Sequence, residues 1–190
     1  MKNRLVPILL IALFVVPMLA AVLLQSSWLD WQPEPERAHG TLLMPVVALG
    51  GFEATDAAGN VRSERDLHGR WWLVRVIDGQ CDPDCRQRLD LLHRVRLAQD
   101  RHVADIGMLL LASSSLDAEL RSRIVEFGPA WMLFEGAAAT DLRARFPEAA
   151  DGATFIIDPE GNIMERFEPG ADATGIRKDL RRLLTWTLRE

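Results

Sequence analysis

The chain has 190 residues, 48% of them hydrophobic and 26% charged, which suits one globular domain and excludes both a disordered polyampholyte and a uniformly apolar membrane bundle. The net charge of −5 argues against nucleic acid as a partner, because phosphate binding needs a surplus of Lys and Arg on one face. Cys81 and Cys85 are the only 2 cysteines, so a disulfide-dense scaffold is excluded and at most one pair can form.

Leu5 to Leu24 is an uncharged run of 20 residues, against the ~20 that cross ~30 Å of hydrocarbon as helix. Lys2 and Arg4 precede it and the first acidic residue, Asp30, follows it, so residues 1–4 are expected in the cytoplasm and the rest outside. A cleaved secretory signal is the rival reading. Its apolar part runs only ~7 to 15 residues, so an uncleaved transmembrane anchor over 5–24 is expected instead. Beyond the anchor 20 basic residues stand against 27 acidic ones, a charge that suits a soluble domain with no attraction to anionic lipid.

Residues 25–45 carry Ser26, Ser27, Pro33, Pro35, Glu34, Glu36 and Arg37, a composition that reads as an extended, solvated linker. Trp28 and Trp31 lie just past the apolar run, where amphipathic rings favour the headgroup zone. His39, alone in this linker, reads as merely solvated. The folded domain is then expected over 46–190.

From there short β-like runs alternate with helical stripes, the pattern of an α/β domain. Phe52 to Val61 brackets the turn signal Ala57-Ala58-Gly59-Asn60 and reads as a leading hairpin. Trp71 to Ile77 reads as a central strand. Pro83 to Gln99 follows as a helix, with Cys85, Leu89, Leu92 and Val95 on one stripe. Ile106 to Ala112 is a second buried strand, and Ser115 or Asp117 can cap a helix striped by Leu116, Leu120, Ile124 and Phe127. Trp131 to Phe134 is a third strand, followed by a further helix. Thr154 to Asp158 and Ile163 to Phe167 form a hairpin across Pro159-Glu160-Gly161-Asn162, and after Asp172 a last helix aligns Ile176, Leu180, Leu183, Leu184 and Leu188.

The segment Cys81-Asp82-Pro83-Asp84-Cys85 joins the central strand to the first helix, at the carboxyl end of a strand where α/β sheets place ligands. Asp82 suits the cap and Pro83 the first helical position, which puts Cys81 in the loop and Cys85 in the first turn, both on one crevice. The helix N-terminus favours a thiolate there, while Asp82 and Asp84 oppose it. Three uses stay open: binding a soft metal such as copper, cycling between dithiol and disulfide, or a static disulfide of small entropic worth. A metal needs further ligands. His93 stands about 12 Å along the helix from Cys85 at ~1.5 Å per residue, and His68 and His102 read as surface residues.

The anchor, the Phe52 to Val61 segment, Gly69-Arg70-Trp71-Trp72-Leu73-Val74, the CxxxC pair and Phe155-Ile156-Ile157-Asp158-Pro159-Glu160-Gly161 together resemble the Sco/SenC group, membrane-anchored thioredoxin-fold proteins that help assemble the copper centre of cytochrome c oxidase. The likeness covers roughly Met44 to Glu190. It implies a thioredoxin-like fold, a central mixed sheet with helices on both faces behind one N-terminal transmembrane helix. It also implies a domain on the periplasmic side of a bacterial inner membrane. Cys81 and Cys85 would be a redox pair or copper ligands, and the partner an oxidase subunit or a copper chaperone.

The departures are specific. The family's copper-binding His falls at or near Ala150, where no His stands, and Asp82 replaces the Pro that usually follows the first Cys. Gly152-Ala153-Thr154 lacks the cis-Pro of thioredoxin-type oxidoreductases, and the Thr that a peroxiredoxin needs would fall at Asp78. A thiol–disulfide oxidoreductase of the cell envelope and a non-catalytic binding module with a structural disulfide are the alternatives.

Overall fold

Residues 10, 13–18 and 38–187 are described by the computed structural model, the side chains of 186 and 187 excepted. The chain divides into two units, Met1–Arg37 and Ala38–Glu190. Residues 13–18 are helical, but most of the expected span over 5–24 lies outside the described residues. Among the described residues no helix is long and apolar enough to cross a membrane.

The second unit opens with β1 (Thr41–Ala48) and a small hairpin of β2 (Glu53–Thr55) and β3 (Val61–Ser63). It continues through β4 (Trp71–Ile77), α1 (Pro83–Leu97), β5 (Ile106–Ala112), α2 (Ala118–Glu126), β6 (Trp131–Glu135) and α3 (Gly136–Arg143). The hairpin β7 (Thr154–Ile157) and β8 (Asn162–Phe167) and the helix α4 (Ala173–Thr187) complete it. The main sheet has six strands in the order β1-β8-β7-β4-β5-β6. β4, β5 and β6 run parallel, while β7, β8 and β1 join antiparallel. This is the expected mixed sheet.

Two-residue periodicity sorts the core. Trp72, Val74, Val76, Leu109, Leu111 and Phe134 face α3 and the leading hairpin, while Trp71, Leu73, Met108 and Ile156 meet α1 and α4. Ile77, Leu110 and Leu133 complete that second face against α2. Helices therefore cover both faces, and all seven residues of β4 are buried, as a central parallel strand requires. Trp72 donates its indole N–H to the Leu67 carbonyl at 2.8 Å, and its ring lies where a side chain on Gly107 would have to be.

Turn and cap chemistry matches the sequence. Asp82 caps α1 with Pro83 at the first position, and Asp117 caps α2 by accepting from the Leu120 N–H at 2.9 Å. Asp158 accepts from the Glu160 and Asn162 N–H groups at 2.9 and 2.8 Å, fixing the β7–β8 turn.

The beginning of the unit differs from expectation. Residues 41–45, read as the end of a solvated linker, are the first half of β1, and Thr41 and Leu42 pair with Arg166 and Glu165 of β8. His39, read as merely solvated, also belongs to the fold. Its N–H and that of Gly40 donate to the Asp179 carboxylate of α4, and its ring Nδ1 stands 3.2 Å from the same group. Pairing the outer edge of β8 and giving the buried Asp179 carboxylate its donors favour these contacts over solvation.

Candidate functional site

The loop that carries the cysteines is fixed before it reaches them. Asp78 at the end of β4 accepts from the Ser113 hydroxyl at 2.8 Å and from Arg143 at 2.8 Å, bonds that hold its carboxyl below the usual carboxylate range. Gly79 donates to Ser113 Oγ at 3.1 Å, and the Asp78 N–H donates to Asp151 at 2.7 Å. Cys81 then ends in the apolar layer under α1, and Cys85 sits one turn into the helix, its N–H given to Asp82 Oδ1 at 2.7 Å. Cys81 and Cys85 form a disulfide, with Cα atoms 5.2 Å apart.

Beside Cys85 lies a crevice of about 490 Å³, bounded by α1, the end of β4 and the segments around Gly152 and Gly170. Arg75, a lone charge in the apolar centre of β4, is 8% exposed and lines it. Arg75 donates to the Gly152 carbonyl and, at 3.1 Å, to Thr154 Oγ1. Its Nε is buried without a hydrogen-bond partner. Burial first, then the charge of Arg88, lowers its pKa to about 10, with Asp151 opposing, so it stays a cation at neutral pH. Arg88 lines the same crevice and donates to the Ala171 carbonyl at 3.1 Å. Asp82, Asp84 and Asp151 stand at its exposed rim.

The segment opposite the cysteines pairs directly with β4: Gly152 donates to the Val76 carbonyl and Val76 to that of Ala153, at 3.0 and 3.1 Å. Gly152 has φ of +75°, and a side chain there would press on Arg75. Among the described residues the cis X-Pro bond is Met44-Pro45 in β1, not at this segment.

A copper site of three or more donors needs ligands beyond the two sulfurs, and the histidines are elsewhere. His39 is held by Asp179, and His68 lies beside Glu64 at 3.7 Å. His93 stacks on Phe127 with centroids 4.3 Å apart and accepts from the Trp131 indole at 3.3 Å, its pKa lowered by burial and by Arg96. His102 contacts Arg101 and Asp105. Among the described residues no group of three or more His, Cys, Asp or Glu is placed to hold a metal ion. Apart from the Cys85 sulfur the crevice carries guanidiniums and carboxylates and no imidazole, so the described residues offer a copper ion no soft or imidazole donor beyond the cysteine pair.

Comparison with known proteins places this geometry. The family described as transmembrane-like, thioredoxin-like, C-terminal domain matches residues 71–187. The chain belongs to that family. No curated protein matches the sequence. Among solved structures, copper-bound yeast Sco1 is 16% identical over 74% of this chain and 94% of its own, with a TM-score of 0.60. BsSco, described as carrying a disulfide switch and as a member of the Sco family of cytochrome c oxidase assembly proteins, is 13% identical over 74% and 98%, with a TM-score of 0.54. A thiol:disulfide interchange protein from Bacteroides sp. is 17% identical over 72% and 88%, at 0.55. At these identities the likeness establishes the thioredoxin-like fold that the family match also gives.

Two residues of the site escaped the sequence reading. Arg75 was legible as a single charge inside an apolar strand, a signal of a charge kept for a reason. Gly152 was read only as the absence of a proline, whereas it carries the carbonyl that receives Arg75.

Proposed function

We propose that this protein is a Sco-like, thioredoxin-fold factor of the bacterial cell envelope. It serves cytochrome c oxidase assembly by thiol–disulfide exchange through Cys81 and Cys85, and is held at the inner membrane by residues 5–24. The observation that carries the reading is the pairing of the two sulfurs at a crevice that offers no imidazole. Such a pair cycles between disulfide and dithiol, taking or giving two electrons and two protons. The partner is an oxidase subunit or a copper chaperone whose own thiols must be reduced before they take copper, so copper is cargo of the partner.

The test is complementation of a deletion strain, read as oxidase activity and oxidase copper content. The wild-type chain is expected to restore both and the Cys81→Ser, Cys85→Ser double variant neither. Restoration by the double variant would leave a binding module with a structural disulfide. An anaerobic Cu(I) titration of the reduced protein against a competing chelator is expected to match the double variant. Tight binding lost in that variant would instead favour copper delivery, the use that the copper-bound Sco structures bring forward.

A further inference from the structure

Building on the thiol-exchange reading above, we propose that Cys85, not Cys81, is the sulfur that exchanges with a partner, and that the crevice beside it receives a thiol- or disulfide-bearing segment of another protein. The two sulfurs have unlike surroundings. Cys81 is 8% exposed and packs among Ile77, Leu89 and Leu110. Cys85 touches the edge of that cluster, is half-buried, and lines the crevice of about 490 Å³ that Cys81 does not line. Exchange requires an attacking sulfur to reach the sulfur it joins, so access selects Cys85.

Charge at the crevice is mixed. Arg75 and Arg88 line it with Cys85, and their hydrogen bonds go to neutral oxygens of Gly152, Thr154 and Ala171. The rim carboxylates of Asp82 and Asp151 are engaged by the N–H groups of Cys85 and Asp78, while that of Asp84 opposes the cations. The guanidiniums favour a thiolate at Cys85, and the apolar layer around Cys81 favours a neutral thiol.

The sequence of bonds follows. In the reduced protein the Cys85 thiolate attacks a partner disulfide; the partner's S–S bond breaks, one partner sulfur joins Cys85, and the other leaves as thiolate and takes a proton from water. The Cys81 thiol then loses its proton and attacks Cys85 Sγ, re-forming the internal disulfide and expelling the second partner sulfur, which is protonated. The partner gains two electrons and two protons, and the protein loses two electrons and the Cys81 proton, the other proton coming from water.

The test uses the full chain in detergent, reduced and then treated with less than one equivalent of N-ethylmaleimide, with the label located by mass spectrometry. At least tenfold more label on Cys85 than on Cys81 is expected; equal labelling, or more on Cys81, overturns the assignment. The single variants repeat the comparison with glutathione disulfide, where Cys81→Ser is expected to form the mixed disulfide at least tenfold faster than Cys85→Ser. The reverse order overturns the assignment while leaving thiol exchange intact. Absence of any mixed disulfide at either sulfur overturns the thiol-exchange reading itself, and the assignment falls with it.

Discussion

Glu165 provides the sharpest energetic test of the fold. It occupies an inward position of β8 between Ile163 and Phe167, is 0% exposed, and faces Asp179 of α4, itself buried and holding His39 and Gly40. Burial first, then the negative charge of Asp179, pushes its carboxyl up to about 8, with Arg182 and the Gly40 N–H opposing. The folded protein therefore holds a proton on Glu165 that the unfolded chain has released above the ordinary carboxyl value of 4.5. The stabilisation is complete below that value and is lost as pH rises toward 8, at up to about 1.4 kcal/mol per pH unit. Between pH 5 and pH 8 the loss is on the order of a few kcal/mol. Glu165→Gln keeps the shape, offers Asp179 an N–H donor and cannot ionise. Urea unfolding of both proteins from pH 5 to 8 measures the effect, and the difference between them separates Glu165 from His39, Asp179 and Arg182. The variant is expected to match the wild type within about 1 kcal/mol at pH 5 and to exceed it by a few kcal/mol at pH 8. Parallel pH profiles for the two proteins would refute the reasoning.

Three further outcomes are expected. Gly107→Ala places a methyl group 2.4 Å from the Trp72 ring in the centre of the sheet, and is expected to cost about 1 to 3 kcal/mol in urea unfolding; a loss under about 0.5 kcal/mol would contradict the packing described. Arg75→Met removes the buried cation beside Cys85, so the dithiol form loses support and the reduction potential is expected to fall, by on the order of 30 mV for about 1.4 kcal/mol, in a glutathione redox titration. The double Cys→Ser variant opens a ring closed across only 4 positions and is expected to lower unfolding stability by no more than about 2 kcal/mol, so its loss of function would not be a loss of folding.

The sequence made most of the core legible because local signals agreed with tertiary ones. The stripe Leu89, Leu92 and Val95 under α1 and the cap Asp82 are buried and bonded as read from neighbouring residues; of the two caps offered, Ser115 and Asp117, the structure uses Asp117, and the turn expected over 159–162 takes its acceptor from Asp158. β1 was missed because it is an edge strand whose residues stay mostly exposed, with Leu42, Met44 and Val46 all on the surface and Pro45 among them. Neither alternation nor turn chemistry marks it, and only the ladder to β8, more than a hundred residues away, makes it a strand. The same distance hid the pairing of His39 with Asp179.

At the site the sequence supplied the position of both sulfurs and left their difference invisible. A spacing of four predicts both sulfurs on one crevice, whereas Cys85 lines it and Cys81 does not, because Cys81 is covered by Ile77, Leu110 and Leu120, contributed by three other elements. The inequality matters for chemistry because a pair with one covered and one open sulfur has a direction. The open sulfur meets partners and the covered one resolves them. Arg75 adds to that inequality, since this buried cation of β4 lines the same crevice as Cys85, which Cys81 does not reach.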